Sequence, residues 1–294
     1  MIMAGGERFF CALESQKNGE EIFGTVAHLR SWLLLEYPGA WRRNAVEDSR
    51  LLSPAVREHM LRTRWDRSLL IRQEHKWEGG PLRAFTVDSS PESPSISQHL
   101  LTNYEQVTAI TGPGEPVVGN LFAVCTHARH DRCCAKFGNA VWCALRDAAP
   151  ERAWQCSHVG GDRFAANVVL MPHGIYYGRV RPEDVGDLLR ASDAGQLWLP
   201  GYRGRSGYRR AVQAAEYFLR RESGVVGFTA FKPLGNPHVS GDITTVVFEA
   251  RADGSKHRIE YRTVHNVWQQ RLTCHASEES GVTQHHLLRY TVEP

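Results

Sequence analysis

The chain has 294 residues, of which 42% are hydrophobic and 23% charged, and its formal net charge is +3. This length suits two or three modest domains or one large one, and the composition is ordinary for a soluble globular protein. The basic residues are dispersed in short pairs, Arg42-Arg43, Arg209-Arg210 and Arg220-Arg221, which we interpret as solvated faces rather than a nucleic-acid surface, so no nucleic-acid partner is expected.

Residues 1–112 form the first predicted domain, an N-terminal α/β unit. Helical spacing predicts helices over residues 22–35 and 54–64, and a short buried strand is predicted over 68–74. The apolar stretch over 31–37 falls far short of the ~20 residues that cross a bilayer. No basic region followed by an apolar run and a small-residue cleavage site opens the chain. We therefore expect a cytoplasmic protein that does not contact membranes.

A predicted linker, Thr-Gly-Pro-Gly-Glu-Pro at 111–116, leads into a second domain over residues 117–195. Its predicted elements follow in chain order: a strand over 120–124, a helix over 134–148, a strand over 153–157, hairpin strands over 167–171 and 175–180, and a helix that begins at Pro182 and continues to 191. Strand, helix, strand, hairpin and helix is the order of a thioredoxin-like domain. The expected fold class is therefore α/β.

Residues 196–294 form a C-terminal α/β extension. A basic helix is predicted over 207–221, and strands are predicted over 244–250, 257–264 and 287–292. This region carries no motif that we can connect to chemistry.

The cysteine pattern favours metal binding or redox chemistry over disulfides. There are seven cysteines, an odd number, and five of them lie between residues 125 and 156. In a cytosolic chain, such a cluster is more typical of a metal or redox site than of the disulfide framework of a secreted domain.

The segment 125–134 reads Cys-Thr-His-Ala-Arg-His-Asp-Arg-Cys-Cys. Cys125 ends a predicted strand and Cys134 begins a predicted helix, whose exposed N–H groups and positive dipole end lower the pKa of a thiol. Because the thiolate is the metal-binding form, Cys125 and Cys134 are candidate ligands. Cys133 and Cys143 are interpreted as small buried apolar residues.

The segment 156–167 reads Cys-Ser-His-Val-Gly-Gly-Asp-Arg-Phe-Ala-Ala-Asn. Residues two apart on a strand point to the same face, so we expect Cys156 and His158 to project together. Gly160 and Gly161 allow the backbone to turn closely around a bound group. His158 is therefore a candidate ligand.

Other histidines and cysteines carry less weight. His127 and His130 lie in the loop before Cys133, where they either cover the metal or are solvated, and we favour the interpretation as solvated. Cys11 is distant in sequence and is interpreted as a packing residue.

The two motifs, Cys-Thr-His-x5-Cys-Cys-Ala and Ser-His-Val-Gly-Gly-x-Arg-Phe-Ala-x-Asn, resemble the sucrase/ferredoxin-like family of thioredoxin-like ferredoxins. The similarity extends to Trp-Leu-Leu-Leu-Glu-Tyr-Pro-Gly from residue 32 and His-Gly-Ile-Tyr-Tyr-Gly-Arg-Val from residue 173. This resemblance implies a central thioredoxin-like ferredoxin domain, a mixed sheet flanked by helices, with a 2Fe–2S cluster held by two cysteines and two histidines four apart. The cysteines correspond to Cys125 and Cys134 and the first histidine to His158, but Asp162 stands in the second histidine position.

Four outcomes follow from Asp162, and cluster binding is favoured. The carboxylate can ligate iron, which lowers the reduction potential because potentials follow the net charge around a cluster. The carboxylate can also remain unbound while Cys156 or Cys133 supplies the fourth ligand. The set of two cysteines, one histidine and one aspartate also suits tetrahedral zinc. In the last outcome the fold is retained and the cofactor is lost.

We therefore expect a non-enzymatic electron carrier or redox sensor that works with a redox partner protein, an unidentified reductase or oxidase. The sequence contains no Cys-x-x-Cys, which disfavours a metal-free thiol redox protein. It also contains no Gly-x-Ser-x-Gly elbow and no convincing carboxylate pair, so sugar hydrolysis is not supported. The alternative is a family member without a cluster, or a zinc-stabilised interaction module.

Overall fold

The structure is a computed structural model that describes residues 8–62, 65–73 and 79–294. The helices of this part of the chain are α1 (Cys11–Lys17), α2 (Pro54–Arg62), α3 (Arg132–Ala148), α4 (Val185–Asp193) and α5 (Arg210–Ser223). The strands are β1 (Ser31–Glu36), β2 (Arg67–Arg72), β3 (Leu82–Asp88), β4 (Ser95–Leu101), β5 (Glu115–Pro116), β6 (Leu121–Cys125), β7 (Ala153–Cys156), β8 (Val168–Met171), β9 (Ile175–Tyr177), β10 (Tyr202–Arg205), β11 (Phe231–Ser240), β12 (Ile243–Ala250), β13 (Lys256–Val264), β14 (Gln269–Gln270), β15 (Ser280–Gly281) and β16 (Gln284–Glu293). The predicted α/β class is confirmed.

A large, curled, ten-stranded mixed sheet runs in the order β10-β9-β8-β6-β7-β2-β1-β3-β4-β5. The pairs β1–β2 and β6–β7 are parallel, and the other neighbours are antiparallel. The β2–β7 pair, in which Ile71 lies opposite Cys156, joins strands from residues 1–112 to strands from residues 117–195. The predicted linker contributes β5, the edge strand next to β4. The division into domains at residues 112–117 stays a prediction.

The predicted helix over residues 22–35 is wrong, because residues 22–30 contain no helix and residues 31–35 belong to strand β1. The strand lies between β2 and β3, and residues 32–35 are all buried. Trp32 and Leu34 pack into one core cluster, whereas Leu33 and Leu35 pack into another, as expected for alternate side chains of a strand covered on both faces. Such a strand is apolar at every position, so its sequence lacks the period-two alternation that would identify it.

Predictions for the remaining elements of the N-terminal region are close to the structure. The predicted helix at 54–64 is α2 as far as Arg62, and the strand predicted over 68–74 is β2. Residues 63, 64 and 74 lie outside the described ranges.

The predicted elements between residues 120 and 191 are confirmed as β6, α3, β7, β8, β9 and α4. Helix α3 begins at an N-cap, where the carboxylate of Asp131 accepts a hydrogen bond from the backbone N–H of Cys133 at 2.8 Å. Gly138, in the second turn of α3, lies against the backbone carbonyl of Cys125, and a Cβ at this position would collide with that oxygen. The helix therefore crosses β6 closely enough to bring its first turn next to the end of that strand.

In the C-terminal region, α5 packs on an antiparallel sheet in the order β11-β12-β13-β16, and the four elements predicted there are confirmed. Strand β11 was not predicted, since two prolines and a glycine interrupt its apolar pattern. The interpretation of Arg220 as solvated is wrong: its side chain is 1% exposed. Its guanidinium donates to Glu216 Oε1 at 3.1 Å, and Arg205 donates to the same oxygen at 3.2 Å.

Among the described residues, none of the helices combines the length and the apolar character that a bilayer crossing requires.

Candidate metal centre

The predicted ligands converge at one end of the β6–α3 unit. Cys125 is the last residue of β6, Cys134 lies in the first turn of α3, and His158 follows β7. The two sulfur atoms and a ring nitrogen of His158 all lie within 4.8 Å of one another. The motifs that are separated in the sequence thus form one buried group of metal donors.

Asp162 contacts both halves of this group. It opens a short 3-10 turn, Asp162–Phe164, and its side chain is 3% exposed. Its Oδ1 atom accepts a hydrogen bond from the Cys134 thiol at 3.2 Å and lies 3.1 Å from Nδ1 of His158. The carboxylate therefore occupies the place from which a fourth donor could complete the group.

The interpretation of His130 as solvated is corrected by the structure. Its ring stacks on that of His158 with a centroid distance of 3.6 Å and an interplanar angle of 16°. Its Nε2 atom lies 4.0 Å from Oδ2 of Asp162, so His130, His158 and Asp162 form a second group of donors that shares His158 with the first. The position of His130 in the loop between two candidate ligand cysteines is the sequence signal behind the alternative in which it covers the metal.

His127 is also buried rather than solvated. Its Nδ1 accepts the backbone N–H of His158 at 3.3 Å, so Nε2 carries the proton and donates to the carbonyl of Arg42 at 2.6 Å. Burial lowers the pKa of His127, which agrees with this neutral tautomer. His127 therefore positions the backbone of His158.

The two alternative thiols lie apart from these donors. Cys156 is opposite Cys125 in the parallel β6–β7 pair and shares a core cluster with Cys125 and Cys134, but its thiol is not among the donors grouped with His158 in the described residues. Burial raises the pKa of Cys156 well above its usual value, but the hydrogen bond with Cys125, together with burial, raises the pKa of Cys134 in the same direction, so position and not pKa separates the two thiols. Cys133 points to a different cluster, with Cys11 and Cys274. Neither belongs to the donor groups around His158 in the described residues.

The glycine pair shapes the turn that carries Asp162. Gly160 and Gly161 have φ values of 92° and 79°, in the left-handed region that favours glycine. Arg203 donates to the carbonyl of Gly160 at 3.1 Å and to Oδ1 of Asn167 at 2.7 Å, and Asn167 donates to the carbonyl of Gly161 at 2.8 Å. Arg203 thus stabilises the glycine turn. It lies outside both motifs, and nothing in its sequence context indicated that it contacts this turn.

The charges of the site are coupled. The hydrogen bond with Cys134, and then the proximity of His158, hold the pKa of Cys125 well below its usual value despite burial. Against the effect of burial, Asp162 and Cys125 raise the pKa of His158 to about 9, and His158 in turn lowers the pKa of Asp162. Without metal, the site thus holds an imidazolium between a thiolate and a carboxylate. Metal binding must displace the imidazole proton, because only neutral imidazole is a ligand.

The donor set fits a metal, and one side of it reaches the surface. Two sulfur atoms, one nitrogen and one carboxylate oxygen suit a cluster or a zinc ion. The thiols are buried, whereas the side chains of His158 and His130 are 22% and 30% exposed. Both histidines line a surface cleft of about 240 Å³, together with Arg43 and Arg67.

Comparison with known proteins identifies one family. The family profile described as Sucrase/ferredoxin-like matches residues 22–204, more than half of the chain. The matched region includes every residue of the candidate centre and excludes α1 and the C-terminal sheet. No curated protein and no solved structure matches the chain.

Proposed function

Because the chain belongs to the sucrase/ferredoxin-like family, we propose that it is an electron-transfer or redox-sensing protein with a 2Fe–2S cluster. Its ligands are Cys125, Cys134, His158 and Asp162. The observation that carries this proposal is the convergence of two thiols and an imidazole within 4.8 Å, with Asp162 in contact with Cys134 and His158.

Each ligand has a distinct part in this proposal. When bound, the cluster supplies one-electron transfer. Cys125, whose pKa is lowered, presents a thiolate without an external base. His158 loses its proton on binding, and its partly exposed ring lies between the buried sulfur atoms and solvent. Asp162 adds negative charge, which lowers the reduction potential relative to a neutral fourth ligand.

The strand order supports a thioredoxin-like ferredoxin domain over residues 117–195. Strands β6 and β7 are parallel with α3 between them in sequence, and β8 and β9 add antiparallel beside β6. Helix α4 follows the hairpin. This is the strand, helix, strand, hairpin and helix order expected of such a domain.

We also propose that a redox partner protein docks over the cleft beside His130 and His158. The partner's cofactor would approach the imidazole side, since the thiol side is buried. Arg43 and Arg67 line the same cleft with one acidic residue, Glu47, so its net charge is positive without the histidines. An acidic docking face is therefore expected, and electron transfer should slow as ionic strength rises.

The test is to purify the full chain anaerobically without a metal-binding tag and to measure its visible spectrum and its iron, sulfide and zinc contents. A red-brown protein with about two irons and two sulfides per chain supports the proposal. Cys125→Ser should lose both, whereas Cys143→Ser, at a half-buried thiol outside the donor groups, should keep both. A colourless chain with neither iron nor sulfide would refute the proposal, and zinc lost only in Cys125→Ser would identify the alternative zinc module.

A further inference from the structure

Three cysteines from remote parts of the chain meet in a second buried cluster. Cys11 opens α1, Cys133 lies in the first turn of α3, and Cys274 lies between β14 and β15. The Sγ–Sγ distances are 3.3 Å for Cys133–Cys274, 3.6 Å for Cys11–Cys274 and 3.7 Å for Cys11–Cys133. All three residues are at most 8% exposed. The sulfur atoms therefore form a nearly regular buried triangle, which we call the thiol triangle.

The dimensions of the thiol triangle suit one tetrahedral ion. A zinc–sulfur bond of about 2.3 Å places the sulfur atoms of a tetrahedral site about 3.8 Å apart. A disulfide would join only two of the three at about 2 Å and leave a buried thiol unpaired. Hydrophobic packing accounts for the burial of the cysteines, but it does not require three sulfur atoms from distant segments to face one another.

Asp131 provides a fourth donor. A carboxylate oxygen lies within 4.8 Å of the three sulfur atoms. Its two oxygens accept the backbone N–H groups of Cys133 at 2.8 Å and Cys274 at 2.7 Å, which fixes the carboxylate against two of the cysteines. The backbone N–H of Cys11 also points to Sγ of Cys274 at 3.5 Å, a contact that stabilises a thiolate.

We propose that Cys11, Cys133, Cys274 and Asp131 bind one zinc ion as a closed structural site. Four protein donors with no open position are typical of structural zinc, and three thiolates select a soft or borderline ion over magnesium or calcium. Cys11 and Cys274 lie outside the region that matches the family, and the site shares no donor with the proposed cluster, although Cys133 adjoins Cys134.

The zinc ion would connect segments from the N-terminal and C-terminal regions to the helix that carries Cys134. It joins α1 and the segment around Cys274 to the first turn of α3. That segment also brings the ring of His275 to 6.3 Å from the ring of His130, edge to face. Zinc binding therefore holds the C-terminal segment against the rim of the candidate metal centre.

The experiment is a metal analysis of the untagged full chain and three variants, with growth in zinc-supplemented medium. The wild type should contain about one zinc per chain that survives gel filtration. Cys274→Ser should lower the zinc content about tenfold or more. Cys125→Ser, in the other donor group, and Cys143→Ser, in neither, should keep it.

A second measurement tests the site without Cys274→Ser, in case that variant fails to fold. Cobalt added to metal-free Cys125→Ser protein should give a thiolate-to-cobalt charge-transfer band and the intense visible bands of a tetrahedral site. The proposal is overturned by a wild type without zinc, by unchanged zinc in Cys274→Ser, or by zinc that is lost in Cys125→Ser instead. A non-reducing mass spectrum with a bond between Cys133 and Cys274 would also overturn it.

Discussion

The imidazole rings of His130 and His158 stack at 3.6 Å, although they come from different motifs of the sequence. Burial and the proximity of His158 lower the pKa of His130, so its ring is neutral where that of His158 is charged. His130 thus covers the exposed side of a candidate ligand. The stack also places a second imidazole near the position where the family pattern has a second histidine.

We expect His130→Phe to keep its cluster, because phenylalanine preserves the stacking and Asp162 still supplies the fourth donor. Iron and sulfide contents should equal those of the wild type. Pulsed EPR of the reduced protein should detect one coordinating nitrogen in both chains. Two coordinating nitrogens in the wild type and one in the variant would instead identify His130 as a ligand and contradict the assignment of Asp162.

Asp162→His should raise the reduction potential by on the order of 100 mV, because a neutral imidazole replaces a negative carboxylate at the cluster. The measurement is a redox titration followed by the visible spectrum. Asp147→His, at an exposed position on α3, is the matched control and should leave the potential unchanged. A potential that does not rise in Asp162→His would show that the carboxylate is not a ligand.

Gly138→Ala should disturb the site from outside the donor set. The added Cβ collides with the carbonyl oxygen of Cys125, so α3 must move away from β6 and separate Cys134 from Cys125. We expect lower iron occupancy and a loss of about 1–3 kcal/mol in the free energy of unfolding. In Gly186→Ala, the new Cβ meets only the end of the flexible Arg190 side chain, so that helical control should be neutral or slightly stabilising in chemical denaturation.

Glu216→Gln should destabilise the fold by about 3 kcal/mol or more, because it leaves the buried guanidinium groups of Arg205 and Arg220 without a counter-charge. Urea denaturation of the variant measures this loss. The control is Glu222→Gln, which removes a partly exposed ion pair with Arg221 and should change the free energy of unfolding by less than about 1 kcal/mol. Equal effects of the two substitutions would contradict the role assigned to the buried network.

His173 should make the fold sensitive to mild acid. Burial, and then the charge of Arg205, lower its pKa to about 4, against about 6.5 in the unfolded chain. The unfolded state therefore binds a proton at this imidazole at a higher pH than the folded state does. The contribution of His173 to the free energy of unfolding is complete above about pH 6.5 and decreases as the pH drops towards 4. We expect His173 to lower the free energy of unfolding by about 2 kcal/mol between pH 7 and pH 5. His173→Gln should reduce the slope of unfolding free energy against pH, whereas His28→Gln, at an exposed histidine, should not.

The elements around the site could be predicted because their signals are local. A strand that ends at Cys125 and a helix that begins near Cys134 are both encoded within a few residues. The same is true of the glycine turn before Asp162. Sequence reasoning was weaker wherever the environment is set by distant parts of the chain.

Burial on both faces of β1, for example, depends on strands and helices that its own sequence does not specify. Arg220 was interpreted as solvated, yet it shares the buried carboxylate of Glu216 with Arg205, which lies on another element of the fold. Cys11 and Cys274 are 263 positions apart, and no local pattern indicates that they meet.

The thiol triangle also implies an order of events during synthesis. The donors of the first centre lie within residues 125–162 and leave the ribosome almost together. Cys11 cannot meet Cys274 until that residue has been translated, so the thiol triangle is completed late in elongation. Zinc loading of the proposed site would then follow the translation of Cys274. A chain without that zinc would lack the metal bridge from α1 and the segment around Cys274 to α3.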